Sequence, residues 1–176
     1  MKILSIILLS LFVQSCSWIG SRAIVLNKPA HQLNHVAVII AQDEVFETNG
    51  SNSEYYLFIK SIAEELAKKK IFHFTILDRK YPIDAFDDLQ LSLLGIELME
   101  HYDAYMICTP RLKGRFNHKV ELRLYQSYPT RQLIYVSHNT SMGNSYMWYP
   151  NPTSTLLDAT MGVVEALDHR YRKMKY

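Results

Sequence analysis

Val36-Ala37-Val38-Ile39-Ile40 places five apolar residues in a row, four of them β-branched, and this run decides the fold. A strand with one solvated face alternates apolar and polar residues, so an unbroken run reads as a strand buried on both faces. A turn cluster, Asn49-Gly50-Ser51-Asn52-Ser53, comes next and leads into a helix. Ser51 and Glu54 have the spacing at which each side chain satisfies a free backbone donor of the first turn. Beyond them Tyr55, Ile59, Ile62, Ala63 and Leu66 share one face at helical period, while Glu64, Glu65, Lys68 and Lys69 share the other. Such a helix packs its apolar stripe on a sheet.

Phe72, Phe74 and Ile76 then alternate with His73 and Thr75, the pattern of a half-buried strand, which closes at Asp78-Arg79. Pro82 and Asp84 mark a turn and an N-cap, predicting a second helix over about 85–101 with Phe86, Leu89, Leu93 and Ile96 turned inward. Gly95 weakens that helix by about 1 kcal/mol relative to alanine, which marks a kink or a close contact. Three further strands are predicted. The first is Ala104 to Thr109, and the second has Val120, Leu122 and Leu124 alternating with Glu121, Arg123 and Tyr125. The third is Leu133 to Ser137. Gly114 and Pro129 lie in connections short enough for antiparallel hairpins. After a polar, aromatic loop from Asn139 to Pro152, Thr153 or Ser154 is expected to cap a last helix. Its inner face is Leu156, Thr160, Val163, Val164, Leu167 and Tyr171. The order β-α-β-α-β-β-β-α implies an α/β (α+β) domain, a mixed sheet with packed helices that is parallel at its start and antiparallel in its second half.

Upstream, Met1-Lys2 precedes the apolar stretch Ile3 to Val13, the length of a signal-peptide core and short of the roughly 20 residues a helix needs to cross a bilayer. Val13-Gln14-Ser15-Cys16 puts an aliphatic residue three before a cysteine and a small residue just before it, and resembles the lipobox of bacterial lipoproteins. The resemblance implies a signal peptide over 1–15, cleavage before Cys16, and acylation of that cysteine, where two or more acyl chains make a stable anchor. Residues 16–34, interrupted by Pro29 and without sustained period, read as a tether, and 35–176 as a single periplasmic domain. Ser17 rather than an aspartate follows the cysteine, which by the enterobacterial sorting pattern implies the periplasmic face of the outer membrane.

The chain also resembles the superfamily containing the periplasmic N-terminal domain of TolB, the lipoprotein LpoB and the curli secretion lipoprotein CsgG. Three places carry the likeness: the helix-strand join 62–79, which closes on Asp78-Arg79; the strand opening Tyr102-Asp103-Ala104-Tyr105; and the hairpin from Val120-Glu121-Leu122 through Thr130-Arg131-Gln132-Leu133-Ile134. Tyr125-Gln126 stands where the family has an acid, and Pro129-Thr130 where it has a glycine turn. No segment matches the long hairpins of the CsgG pore, so pore formation is not implied. What the likeness implies is a role in envelope assembly or regulation through protein contacts.

The residues offer little catalytic chemistry. Of seven histidines only His31 and His35 have a helical ligand spacing, and they lie in the tether without a nearby cysteine or carboxylate, so no metal or other cofactor is expected. There is no Gly-x-Ser-x-Gly elbow and no phosphate-cradling glycine loop. Asp87-Asp88 reads as a helix-start pair that complements the dipole, and Asp78-Arg79 as a strand-end salt bridge. Cys108, within Tyr105-Met106-Ile107-Cys108, reads as a buried, inert thiol, and with Cys16 acylated no disulfide forms within the chain. Nineteen basic against seventeen acidic residues leave +2, with no basic stripe for nucleic acid. The basic tail from Arg170 to Tyr176 reads as a solvated helix end. Tyr146, Trp148 and Tyr149 stand out in their loop, either as anchors for an envelope protein partner or as a cover for one end of the sheet. The leading expectation is a non-enzymatic, lipid-anchored protein-binding module. An apolar small-molecule or lipid carrier is the alternative, and an envelope hydrolase is least favoured.

Overall fold

Strand β2 (His35–Gln42) runs through the middle of the core. Val36 to Ala41 are each no more than 1% exposed. Because successive side chains point to opposite faces, Val36, Val38 and Ile40 join one hydrophobic cluster, and Ala37, Ile39 and Ala41 join the other. The unbroken apolar run is therefore buried from both sides, as its composition requires.

The computed structural model describes residues 22–42, 52–77, 81–82, 87–112, 117–127, 132–142 and 152–173. Around β2 stand β1 (Arg22–Val25), α1 (Asn52–Lys69), β3 (His73–Ile76), β4 (Tyr81–Pro82), α2 (Asp88–Leu98), β5 (Ala104–Leu112), β6 (Asn117–Gln126), β7 (Gln132–Met142) and α3 (Pro152–Tyr171). The sheet runs β1-β7-β6-β5-β2-β3, with β4 paired to the far end of β2. β2 is parallel to β3 and β5, whereas the β5-β6, β6-β7 and β1-β7 pairs are antiparallel. This is the mixed sheet and the element order expected from the sequence, with two short strands added.

The path from β2 through α1 to β3 moves one way across the sheet. The path from β3 through α2 to β5 moves back. Crossovers of one hand then put their helices on opposite faces, and the packing agrees. Phe58, Ile62 and Leu66 of α1 lie in one cluster, and Leu91, Leu94 and Leu98 of α2 in the other. The last helix, α3, returns to the α1 face, where Leu156, Thr160, Val163, Val164, Leu167 and Tyr171 are all buried, as its periodicity predicts. Arg172 closes the layer by donating from Nη2 to the Lys69 carbonyl at the end of α1 (2.7 Å).

Several expectations need correction. Residues 22–34 are not a free tether: β1 pairs with β7 from Arg22↔His138 to Val25↔Tyr135, and Leu33 is buried. Ile62 and Leu66 face the core, but so does Phe58, which the stripe omitted, and Glu65 is buried beneath Lys68 rather than solvated. In α2 the inward face is Leu91, Leu94 and Leu98, while Leu93 and Ile96 are 58% and 60% exposed. The helix also starts later than expected, because its N-cap is Asp87, whose Oδ1 accepts from the Gln90 N–H, and not Asp84. Phe86 and Asp84 lie outside the described residues, as does Ser51 before α1. Gly95 lies over Tyr105, but a Cβ there would meet the ring at 3.6 Å, an ordinary van der Waals contact, so the position does not need glycine for space. Strand β7 extends to Met142, so Asn139 to Met142 belong to the sheet rather than to the aromatic loop. Helix α3 starts at Pro152, which puts Thr153 and Ser154 inside its first turn rather than at its cap.

Candidate functional site

Cys16, Tyr146, Trp148 and Tyr149 lie outside the described residues, as does Asp78-Arg79. Cys108 is fully buried in the α1/α3 cluster, and burial pushes its thiol well above the ordinary range, as expected of an inert cysteine. His31 and His35 are not a ligand pair. The His31 Nε2 is 3.9 Å from Asp103 Oδ1 and its Nδ1 3.3 Å from Gln126 Nε2, while the His35 Nε2 is 2.9 Å from Thr75 Oγ1. Their spacing is not realised as helix, because the chain there is extended into β2. Among the described residues no three His, Cys, Asp or Glu side chains gather at one point.

Asp103 is the centre of this cluster. Its Oδ2 accepts from the backbone N–H groups of Asn34 (2.8 Å) and His35 (2.9 Å), and Gln126 Oε1 accepts from the Ala30 N–H (2.8 Å). These bonds satisfy backbone donors leading into β2 and pin residues 30–35 to the start of β5 and the end of β6. The carboxylate at the strand opening is structural here, a role that the likeness at Tyr102-Asp103-Ala104 left unassigned.

Two surfaces stand out instead. Helix α2 packs on β2, β5 and the near ends of β6 and β7, through Ala37, Ile39, Tyr105 and Tyr125. The register continues this face as two rows, Arg111-Lys119-Thr140 and Ile107-Arg123-Val136-Ile24, with Thr109-Glu121-His138 between them. No helix among the described residues packs on that far half. Glu121 is only 9% exposed because its neighbours cover it: Arg123 Nε lies 2.6 Å from Oε1 and Lys119 Nζ 3.4 Å from Oε2. Burial works against the Arg123 charge, but Glu121 and Tyr125 more than offset it and hold its pKa above the ordinary value. What the half-face presents outward is therefore cationic, with Arg111 exposed beside it, and Ile24 is 56% exposed at its edge. The sequence carried part of the signal: β6 alternates, which sets Glu121 and Arg123 on one face, although Tyr125 on that same face packs under α2.

The second surface is the outer side of α2, where Gln90, Leu93, Ile96 and Glu97 are exposed, followed by Met99 and Glu100 in the turn after it. Two open clefts also lie among the described residues. One of about 620 Å³ lies between the end of α1 and β3, lined by Leu33, Leu66, Lys70, Phe72 and Phe74 among others. The other, about 490 Å³, lies between β1 and α3, with Ala23, Lys69, Gly162 and Arg170 in its wall.

Sheet order, crossovers and helix layers define a class: a mixed sheet with two helices on one face and one on the other. No family profile and no curated protein matches the chain. Among solved structures it is similar to the PelC dodecamer from Paraburkholderia phytofirmans, with a TM-score of 0.53 at 14% identity, covering 85% of this chain and 98% of that one. A methionine-substituted form of that dodecamer gives 0.54 at 13%, covering 84% and 96%. At such identity the likeness is one of fold.

Proposed function

We propose that the chain is a non-enzymatic, lipid-anchored module of the bacterial envelope, held by acyl chains on Cys16 at the periplasmic face of the outer membrane. It works in envelope assembly or regulation by binding protein, further copies of itself included. The observation that carries this reading is the pair of exposed surfaces on the sheet and on α2. A domain of this size buries most of its large apolar side chains, yet Ile24, Leu26, Leu93, Ile96 and Met99 are each 47–60% exposed. Large exposed apolar groups with charged surroundings are the ordinary makings of a protein interface. The lipobox at Val13 to Cys16 supports the anchor, the likeness to TolB, LpoB and CsgG supports the envelope, and the fold likeness to a dodecamer supports self-association. Tyr146, Trp148 and Tyr149 are proposed to contribute to a partner contact. A carrier of apolar ligands calls for an enclosed apolar pocket, and the two clefts are open and partly lined by charged residues.

Photo-crosslinking in intact cells, with the crosslinker at position 93 or 24, tests the reading. The expected result is a discrete adduct, either with another envelope protein or with a second copy. Absence of any adduct at both positions, together with a monomeric mature protein at every concentration, would overturn it.

A further inference from the structure

We propose that the outer side of α2 in one copy docks, in the next, on the half of the sheet that no helix among the described residues covers. This rests on the reading that copies bind copies, and adds which surfaces meet. The two are complementary in charge and in apolar content. Among the described residues the sheet half carries Arg111, Lys119 and Arg123 against the carboxylate of Glu121, with Ile24 and Val136 in the row of Arg123. The helix carries Glu97 and Glu100 beside Leu93 and Ile96, all exposed. Arg111 and Lys119 are directly opposed across β5 and β6, an arrangement that costs stability in an isolated sheet. An acidic helix laid over them relieves that repulsion. The two surfaces are different parts of the chain, so the contact is head-to-tail, the type that closes into a ring when its rotation permits.

The geometry fixes the test. One variant carries Arg111→Glu with Lys119→Glu, leaving sheet and helix both acidic. A second carries Glu97→Lys with Glu100→Lys, leaving both basic. Sedimentation velocity of the mature lipidated protein in detergent micelles reads assembly, and thermal unfolding confirms that each variant folds. Wild type should assemble, and each variant alone should require at least tenfold higher concentration. An equal mixture should assemble again, because each acidic surface then meets a basic one at both junctions. Misfolded chains cannot produce that recovery. Should the double sheet variant fail to fold, Arg111→Glu alone serves: it removes the like-charge pair within β5-β6, so its melt should hold or rise while assembly weakens. Assembly of wild type that neither variant alters, or a mixture that stays dissociated, overturns the docking and leaves self-association standing. A wild type that is monomeric throughout overturns self-association itself.

Discussion

Asn139 of β7 occupies the space that any side chain on Gly162 of α3 would need. A Cβ built on Gly162 would stand 1.9 Å from the Asn139 Nδ2 and 2.8 Å from its Cγ. The same amide nitrogen donates to the Ala159 carbonyl (3.3 Å) and the Asp158 carbonyl (3.4 Å), so a fully buried polar side chain fixes the height of α3 over the sheet.

Gly162→Ala is therefore expected to destabilise the domain by about 1–3 kcal/mol, the usual cost of overpacking a closed site. Asn139→Ala removes the hydrogen bonds and leaves space, and should cost a similar amount, roughly 1–3 kcal/mol. The two losses should not add, because the alanine at 162 fits where the amide was. Urea unfolding of both single variants and the double one gives the coupling directly. A double variant that loses the full sum would mean that the two residues do not compete for the same space.

The corrected face of α2 can be tested with two adjacent leucines. Leu94 is 6% exposed against the sheet and Leu93 is 58% exposed on the outside. Leu94→Ala should cost roughly 2–5 kcal/mol, while Leu93→Ala should stay within about 0.5 kcal/mol. Equal losses would mean that the helix is rotated from this orientation.

The contrast between helices shows what the sequence could reveal. In α3 the large apolar residues fall mostly on one stripe, and all six positions predicted to face inward do so, with Ala159 the one core residue the stripe left out. In α2, Leu89, Leu91, Leu93, Leu94, Ile96 and Leu98 surround most of the helix, so period alone cannot choose the face. Packing decides it, with Leu91, Leu94 and Leu98 set against Ala37, Ile39, Tyr105 and Tyr125 of the sheet. Strand β2 was legible because burial on both faces leaves no polar positions. Strand β1 was not, since Arg22-Ala23-Ile24-Val25 is a four-residue edge with no alternation, defined by its pairing to β7. Glu65 looked solvated by period but is held inside by Lys68, a contact that the wheel does not encode. Of the candidate site, the polar alternation of β6 was visible, but the surface it builds with β5 and β1 depends on register. Asp103 could be read only as part of a motif, because its work is done on backbone groups 68 and 69 residues away.

Alkaline pH offers a separate test of the core. Burial pushes the Cys108 thiol far up and Tyr135 up to about 12. Ser137 and the charge of Arg170 oppose the Tyr135 shift, Ser137 standing close without the geometry of a hydrogen bond. Both folded values are raised, so the stability they contribute is complete below the unfolded values, about 8.5 for the thiol and about 10 for the phenol. It is lost as pH rises, because the unfolded chain releases its protons first, with a slope of up to about 1.4 kcal/mol per pH unit for each group. Stability should fall from about pH 8.5, and Cys108→Ala should flatten the fall up to about pH 10, where Tyr135→Phe takes over. A slope identical in wild type and both variants would show that neither group is enclosed in the core.

The anchor makes the last prediction. Between Cys16 and the first residue of β1 lie only five residues, 17–21, and an extended chain spans at most about 3.3–3.6 Å per residue. A lipid on Cys16 would thus hold β1, with Ile24, Val25 and Leu26 exposed, within roughly 20 Å of the bilayer. Cells fed a fatty-acid probe should label the wild-type protein, and Cys16→Ala should abolish both the label and cleavage at this site. Wild type should fractionate with the outer membrane, in keeping with Ser17 after the cysteine. A Cys16→Ala protein that still takes up label would place the acylation elsewhere. Unlabelled wild type would remove the anchor, and with it the reason for β1 to lie near a membrane. The docking of α2 on a neighbouring sheet would be untouched by either outcome, since none of its residues depends on the lipid.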